Sequence, residues 1–303
     1  LENSKHTLIT IVGPTAIGKT ALSIQLAQHF NSDIISCDSR QFFKEMTIGT
    51  AVPDKDELKA AHHHFIQNIS IFDTYSVGHF ERAALAKLKT LFLQNTIQIM
   101  VGGSGLYVDA ALKGLDEFPK VSPEIRVQLS SQLNTEGIIS LQNQLKKLDP
   151  EAYNTIAINN PHRLIRALEI CIGSQQTYSS FKNKPKAPRN FKSIKIGLTA
   201  DREIIYDRIN QRVDIMLENG LLEEAKKLYP YKHLNALQTV GYRELFSYFD
   251  GNFTLDTAIA EIKKNTRRFA KRQMTWFRKD TNIIWFDFKD DIRNIIQTIH
   301  QKL

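Results

Sequence analysis

At 303 residues, 42% hydrophobic and 24% charged, the chain has the make-up of an ordinary water-soluble globular protein, which excludes a disordered or collagen-like chain. Its net charge of +8 favours a polyanionic partner, because a positive field concentrates phosphate groups near the surface. The two cysteines, Cys37 and Cys171, stand outside any CxxC pair, and no apolar run nears the ~18 residues that span a bilayer, so zinc ribbons, disulfide frameworks and membrane partners are excluded and the cytoplasm is the default compartment.

Leu8-Ile-Thr-Ile-Val12 is a short β-branched run that stops at glycine and reads as a buried strand. A helical pattern follows through Ala21, Leu22, Ile24, Leu26 and Ala27. Asp33-Ile-Ile-Ser36 reads as a second strand, with Cys37 and Asp38 at its C-terminal end. Residues 80–93 are helix-like, and Ile97-Gln-Ile-Met-Val101 is a strand running into Gly102-Gly103-Ser104-Gly105. Then the pattern changes. Ser122-Pro123, Asp149-Pro150 and Asn160-Pro161 each set a capping side chain before a proline at the first helical position, where the missing N–H costs nothing. No strand lies between them, so residues 115–190 read as a helical insertion, closed by the basic, proline-broken stretch 182–189. Beyond it, Ile194–Leu198 and Ile283–Phe286 are strand candidates, and residues 204–217, 221–228 and 256–279 are helical. Strands alternating with helices predict an α/β fold with a parallel sheet covered on both faces. The expected division is a discontinuous core, residues 1–114 and 191–303, around the insertion.

Gly13-Pro14-Thr15-Ala16-Ile17-Gly18-Lys19-Thr20 satisfies GxxxxGK(S/T) between a predicted strand and a predicted helix, the context a P-loop needs. Glycines let backbone N–H groups converge on phosphate oxygens, and the helix presents its positive end to the anion. Lys19 supplies a point charge, and the Thr20 hydroxyl can help hold Mg2+. The motif does not name the phosphate compound. A kinase or nucleotide hydrolase usually adds a strand ending in an acidic Mg2+ ligand, whereas Ile97–Val101 ends in glycines and Ser104. Asp38 should emerge on the same sheet edge as the P-loop, as a Mg2+ support, a general base or a helix cap.

The surrounding strings narrow this. Asp38-Ser39-Arg40-Gln41-Phe42, Gly49-Thr50-Ala51-Val52-Pro53, His63-His64 and Val101-Gly-Gly-Ser-Gly-Leu-Tyr107 resemble the tRNA dimethylallyltransferase (isopentenyltransferase) family. So do Pro161-His162-Arg163-Leu164-Ile165-Arg166-Ala167-Leu168-Glu169, Val240-Gly241-Tyr242-Arg243-Glu244 and Thr266-Arg267-Arg268-Phe269-Ala270-Lys271-Arg272-Gln273-Met274-Thr275-Trp276. The matches span nearly the whole chain in the family's order. The resemblance implies a P-loop NTPase-like core whose loop holds the pyrophosphate of dimethylallyl diphosphate, with Mg2+. It implies transfer of the dimethylallyl group to N6 of an adenine beside the anticodon of tRNA, by a monomer gripping the anticodon stem-loop. Asp38 matches the general base, Ser104 the position near the reacting centre where the family usually has threonine, and Arg212 an arginine that steadies the leaving pyrophosphate. Asp38, Ser39, Arg40, Gln41, Ser104, Arg126, the run His162, Arg163, Leu164, Ile165 and Arg166, and the run Gln238, Thr239, Val240, Gly241, Tyr242 and Arg243 fall in tRNA-contacting segments. Ile17, Ser104 and Val52 depart from the usual serine, threonine and lysine. Ser104 keeps the hydroxyl; Val52 removes a charge.

Residues 263–279 carry Lys263, Lys264, Arg267, Arg268, Lys271, Arg272, Arg278 and Lys279 with no acid in that stretch. Spacing of i, i+4 puts two rows of charge along neighbouring helix faces, with Arg268, Lys271 and Arg272 expected on the tRNA backbone and Ile259, Ile262, Phe269 and Trp276 on a packed face. His62-His63-His64 cannot all point at one ion from a regular element, and no nearby carboxylate pattern completes a site, so loop or helix packing is the expectation there. Cys37 reads as buried filler. Rival readings are a small-molecule kinase, which needs a nucleotide base pocket, and a non-catalytic, nucleotide-switched RNA-binding protein.

Overall fold

The computed structural model describes residues 5–303. Six strands form one sheet in the order β3-β2-β4-β1-β5-β6, every pairing parallel: β1 (Thr7–Val12), β2 (Ile34–Ser36), β3 (His63–His64), β4 (Ile97–Val101), β5 (Lys192–Thr199) and β6 (Ile283–Asp287). Between them run α1 (Lys19–Phe30), α2 (Lys55–Ala60), α3 (Val77–Leu91) and α4 (Gly105–Lys113). A long excursion of helices α5 (Pro123–Glu136), α6 (Ile138–Leu148), α7 (Pro150–Thr155) and α8 (Pro161–Ser174) precedes β5. After β5 come α9 (Arg202–Glu218), α10 (Leu221–Leu228), α11 (Tyr242–Phe249) and α12 (Leu255–Phe277), and α13 (Ile292–His300) follows β6.

The α/β expectation holds, and alternation along β1 shows why the sheet is covered twice. Ile9 and Ile11 join a core with Leu22 and Leu26 of α1, Ile209 of α9 and Ile295 of α13. Leu8 and Val12 face the other way, into Phe80 and Leu88 of α3 and Val108 of α4. A third cluster gathers α10, α11 and the first half of α12 around the fully buried Tyr242. Because all strands run the same way, the loops after β1, β2 and β4 leave from one edge, where ligands of such sheets collect.

The chain divides into two compact units, residues 1–113 with 188–303, and residues 114–187. The smaller is all helical, built on Leu129, Leu141, Leu145, Leu164 and Leu168. Its proline-marked starts fall where the sequence puts them. Asp149 accepts from the Ala152 amide and Asn160 from the Arg163 amide, while Ser122 makes no capping bond. One element was not foreseen: the short edge strand β3, where packing in a loop or helix was expected. Among the described residues no helix is long and apolar enough to cross a membrane.

Candidate active site

β1 hands over to the glycine loop at Gly13, whose φ of 145° suits glycine alone and where a Cβ would lie 2.6 Å from the Leu198 carbonyl oxygen. Gly18, at φ 106°, is the N-cap of α1 and offers no side chain to its first turn, so those amides remain for a ligand. Cations that line the cleft also brace the loop. Lys19 donates to the Pro14 carbonyl at 2.6 Å, Arg208 to the Ala16 carbonyl at 2.7 Å and Arg212 to the Thr15 hydroxyl at 3.1 Å. Around the loop lies a cleft of about 520 Å³ lined by Thr15 to Ala21, Asp38, Arg208, Arg212 and Gln273.

The cleft is electrostatically primed for an anion. Burial holds the Lys19 ammonium down at about 8, with Asp38 pulling its proton affinity back up and Arg212 pushing it further down. Burial likewise lowers the Arg212 guanidinium, against the attraction of Asp38. Two cations desolvated side by side gain from any diphosphate that supplies the missing counter-charge. Cys37 is fully buried, and burial raises its thiol, so it is packing rather than nucleophile.

Asp38 leaves β2 beside this cleft. One of its carboxylate oxygens accepts from the Arg40 amide at 3.1 Å, a local turn cap that leaves the second oxygen uncommitted among the described residues. Ser104, at the end of β4, accepts from the Ser39 amide at 3.2 Å and donates to the Ser39 hydroxyl at 3.1 Å, which ties the two strand ends together. A second cleft of about 380 Å³ opens here, lined by Asp38, Ser39, Arg40, Ser104, Gln238 to Gly241, Arg243, Phe269 and Arg272 among others. The two clefts share Thr15, Asp38, Thr50, Ala51 and Arg212.

This arrangement recurs in known proteins. Residues 41–280 match the family model described as IPP transferase. The chain is 65% identical to the tRNA dimethylallyltransferase of Christiangramia forsetii and 63% identical to that of Flavobacterium johnsoniae, with 98% of each chain covered in both cases. The chain belongs to the IPP transferase family. Among solved structures, this transferase resembles the tRNA isopentenylpyrophosphate transferase of Bacillus halodurans at TM-score 0.72 and 39% identity, covering 98% of this chain and 95% of that one. It also resembles a eukaryotic dimethylallyltransferase acting on tRNA at TM-score 0.80 and 27% identity, covering 94% of this chain and 74% of that one.

Two residues of the transferase's site escaped the sequence reading. Gln273 is buried on α12 and bridges the loops: its oxygen accepts from the Thr15 amide at 2.8 Å and its nitrogen donates to the Gly103 carbonyl at 2.9 Å. A Cβ on Gly103 would meet that nitrogen at 2.2 Å, so glycine there makes room for the bridge. Glu224 on α10 accepts from the amides of Thr47, Ile48 and Gly49 and, at 2.6 Å, from the Tyr242 hydroxyl. Gln41 holds the next carbonyls, those of Thr50 and Ala51, so the loop shared by both clefts is pinned from both sides. A signal existed: Gln273 stands on the buried stripe Ile262, Ala270, Gln273, Phe277, and a polar residue on such a stripe has a partner to satisfy.

Other expected contacts need correction. Tyr242 is fully buried with its hydroxyl on Glu224, and Leu164 and Ile165 are buried in the smaller unit, so none offers a side chain to RNA. His162 and Arg163 are exposed on the first turn of α8. Arg126 and Arg166 both pair with the buried Glu169, Arg126 through two bonds of 2.8 and 3.1 Å. On α12, Phe269 and Trp276 are 37% and 40% exposed, and Trp276 lies over Gly105 with its indole N–H donating to the Asp109 carboxylate at 2.8 Å. Lys263 and Lys264 do have acids, Asp214 and Glu261, each at 2.6 Å, so the charge run is partly neutralised from outside it. Among the described residues no carboxylate pairs with Arg268, Lys271, Arg272, Arg278 or Lys279. That leaves the second half of α12 as its basic face.

Proposed function

We propose that the glycine-loop cleft holds dimethylallyl diphosphate and the second cleft takes the adenine of a tRNA, with transfer occurring where the two meet. The convergence on Asp38, Thr15 and Arg212 carries the reading: one group able to take a proton and one able to stabilise a leaving anion stand at the junction. Both volumes fall in the range of small-ligand pockets, about 300–1,000 Å³. The exocyclic amine of adenine is a weak nucleophile because its lone pair is delocalised into the ring. A bond forms from N6 to the allylic carbon as the bond from that carbon to the diphosphate oxygen breaks. The N6 proton passes to the uncommitted oxygen of Asp38. The electron pair leaves with pyrophosphate, met by Lys19, Arg212 and the first amides of α1. Ser104, hydrogen-bonded to Ser39, lines the adenine side and keeps that wall polar.

Mg2+ takes hard oxygen ligands, and the Thr20 hydroxyl and the Asp38 carboxylate both line the donor cleft, a donor set that fits it. Bound there with the diphosphate, it would add positive charge at the leaving group. For tRNA, Arg40, Gln238, Thr239 and Arg243 rim the adenine cleft, and Arg268, Lys271 and Arg272 continue the rim along α12. The exposed His162 and Arg163 of the smaller unit supply further contacts to the anticodon stem-loop. Flipping a base costs a few kcal/mol and is cheapest in a single-stranded loop. Incubation with tRNA and labelled dimethylallyl diphosphate, followed by mass analysis of nucleosides, must give an adenosine heavier by one dimethylallyl group. Label transferred from ATP instead, with no alkylated nucleoside, would establish the kinase reading.

A further inference from the structure

We propose that Asp33, His62 and His64 form a Zn2+ site at the starting end of β2 and β3, on the sheet edge opposite the diphosphate cleft. In the parallel pairing Ile34 stands beside His63 and Ile35 beside His64, so Asp33 falls beside His62. Side chains alternate along an extended chain, which turns His62 and His64 to one side and His63 to the other. His63 uses its Nδ1 on the Ala61 carbonyl, 2.8 Å away. The adjacency of three histidines thus resolves into two that converge, and the carboxylate missing from the local sequence arrives from the neighbouring strand.

One ligand atom from each of the three residues lies within 4.8 Å of the others. Ligands about 2.0–2.2 Å from a tetrahedral zinc sit roughly 3.3 Å apart, so a turn of the exposed His62 ring is enough to close the set. His64 Nε2 and Asp33 Oδ2 are 2.7 Å apart and share a proton. Zinc takes the place of the proton between them: the ring proton moves through solvent to Nδ1, and the freed Nε2 lone pair and the carboxylate bind the metal. The His62 ring already stands edge-on to His64, centroids 4.5 Å apart. Lys87 of α3 faces His64 and opposes any cation there. Two imidazoles and one carboxylate suit zinc and its borderline neighbours and do not suit Mg2+, which prefers oxygen. The bound ion would clip a two-residue edge strand to the strand that carries Asp38 at its far end.

The test uses untagged full-length protein stripped of metal and held in excess Mg2+ to occupy the diphosphate cleft. Titration with Zn2+, read by calorimetry and thermal unfolding, should show one equivalent bound and a raised Tm. Cobalt should give the visible absorption of a low-coordinate site. His62 is exposed and lies outside the His64–Asp33 bond, so His62→Ala folds with that pair intact. It should lose zinc affinity at least tenfold and lose the cobalt spectrum, with prenyl transfer unchanged. His62→Gln, of similar reach, should lose them equally. Equal zinc affinity in parent and both variants, or no zinc bound by the parent, overturns the site.

Discussion

Replacing Lys19 by methionine should make the empty enzyme more stable while removing its activity. Methionine keeps the length and apolar stem of lysine and discards a charge that the empty cradle holds at a loss. A fall in proton affinity from 10.5 to about 8 corresponds to roughly 3 kcal/mol against the charged form. Part of this is screened by water in the open cleft, and the 2.6 Å bond to the Pro14 carbonyl, worth about 1–2 kcal/mol, is lost with the ammonium. A net gain of roughly 1 kcal/mol remains, or about 1–2 °C in Tm for a chain of 303 residues. The pH dependence isolates the cause. Between pH 8 and 10.5 the folded lysine has released its proton while the unfolded one still holds it, so stability rises with pH in that window. Below pH 8 the penalty is present in full. The advantage of Lys19→Met should therefore be largest at pH 7 and shrink towards pH 10. Pyrophosphate with Mg2+ should raise the Tm of the parent and leave that of the variant unmoved. Paired thermal scans at pH 7 and 10 decide it. A variant no more stable than the parent at pH 7, with a difference flat in pH, would refute the view of Lys19 as a charge held in reserve for the donor.

Asp38→Asn keeps the turn cap on Arg40 and removes the base, so kcat should fall about 10²–10⁴-fold with the Kd for tRNA unchanged; an unaltered kcat in single-turnover assays would remove Asp38 from the proton path. Gln273→Leu leaves the Thr15 amide and the Gly103 carbonyl unpaired, at about 1–3 kcal/mol each. It should raise the KM for dimethylallyl diphosphate and lower kcat at unchanged tRNA affinity, a split that steady-state kinetics reads directly. Neutralising Lys271 and Arg272 together should weaken tRNA binding and flatten its dependence on log salt by about 1–2, measured by filter binding between low and moderate salt.

The sheet and the glycine loop were legible because both are local. Six residues of β1 carry their own β-branched pattern, and the loop's spacing is fixed by the phosphate it must surround. The three proline-led helix starts are local too, and they fall at Pro123, Pro150 and Pro161. What stayed hidden depends on partners distant in the chain. β3 is a strand only because β2 pairs with it; two histidines have no strand pattern of their own. Phe269 lies at helical spacing from the packed stripe, but the wall it faces is a cleft, and no periodicity distinguishes a cleft from a core. Tyr242 shows the converse. Its neighbours match a segment expected on tRNA, yet the ring fills the third core and its hydroxyl serves Glu224, so a motif residue can hold a site's walls without touching the substrate.

The electrostatics also bear on the order of events. In the empty enzyme Asp38 is the anion that both Lys19 and Arg212 feel. A diphosphate entering the glycine loop brings the two cations a closer and stronger counter-ion. With the two cations so engaged, Asp38 would be left free of them on the wall that the two clefts share. The shared wall at Thr15, Thr50 and Ala51 gives both clefts one frame, since Gln273 fixes Thr15 while Glu224 and Gln41 fix the loop. On the proposed reading, a diphosphate in the first cleft would therefore supply part of the junction at which the adenine reacts.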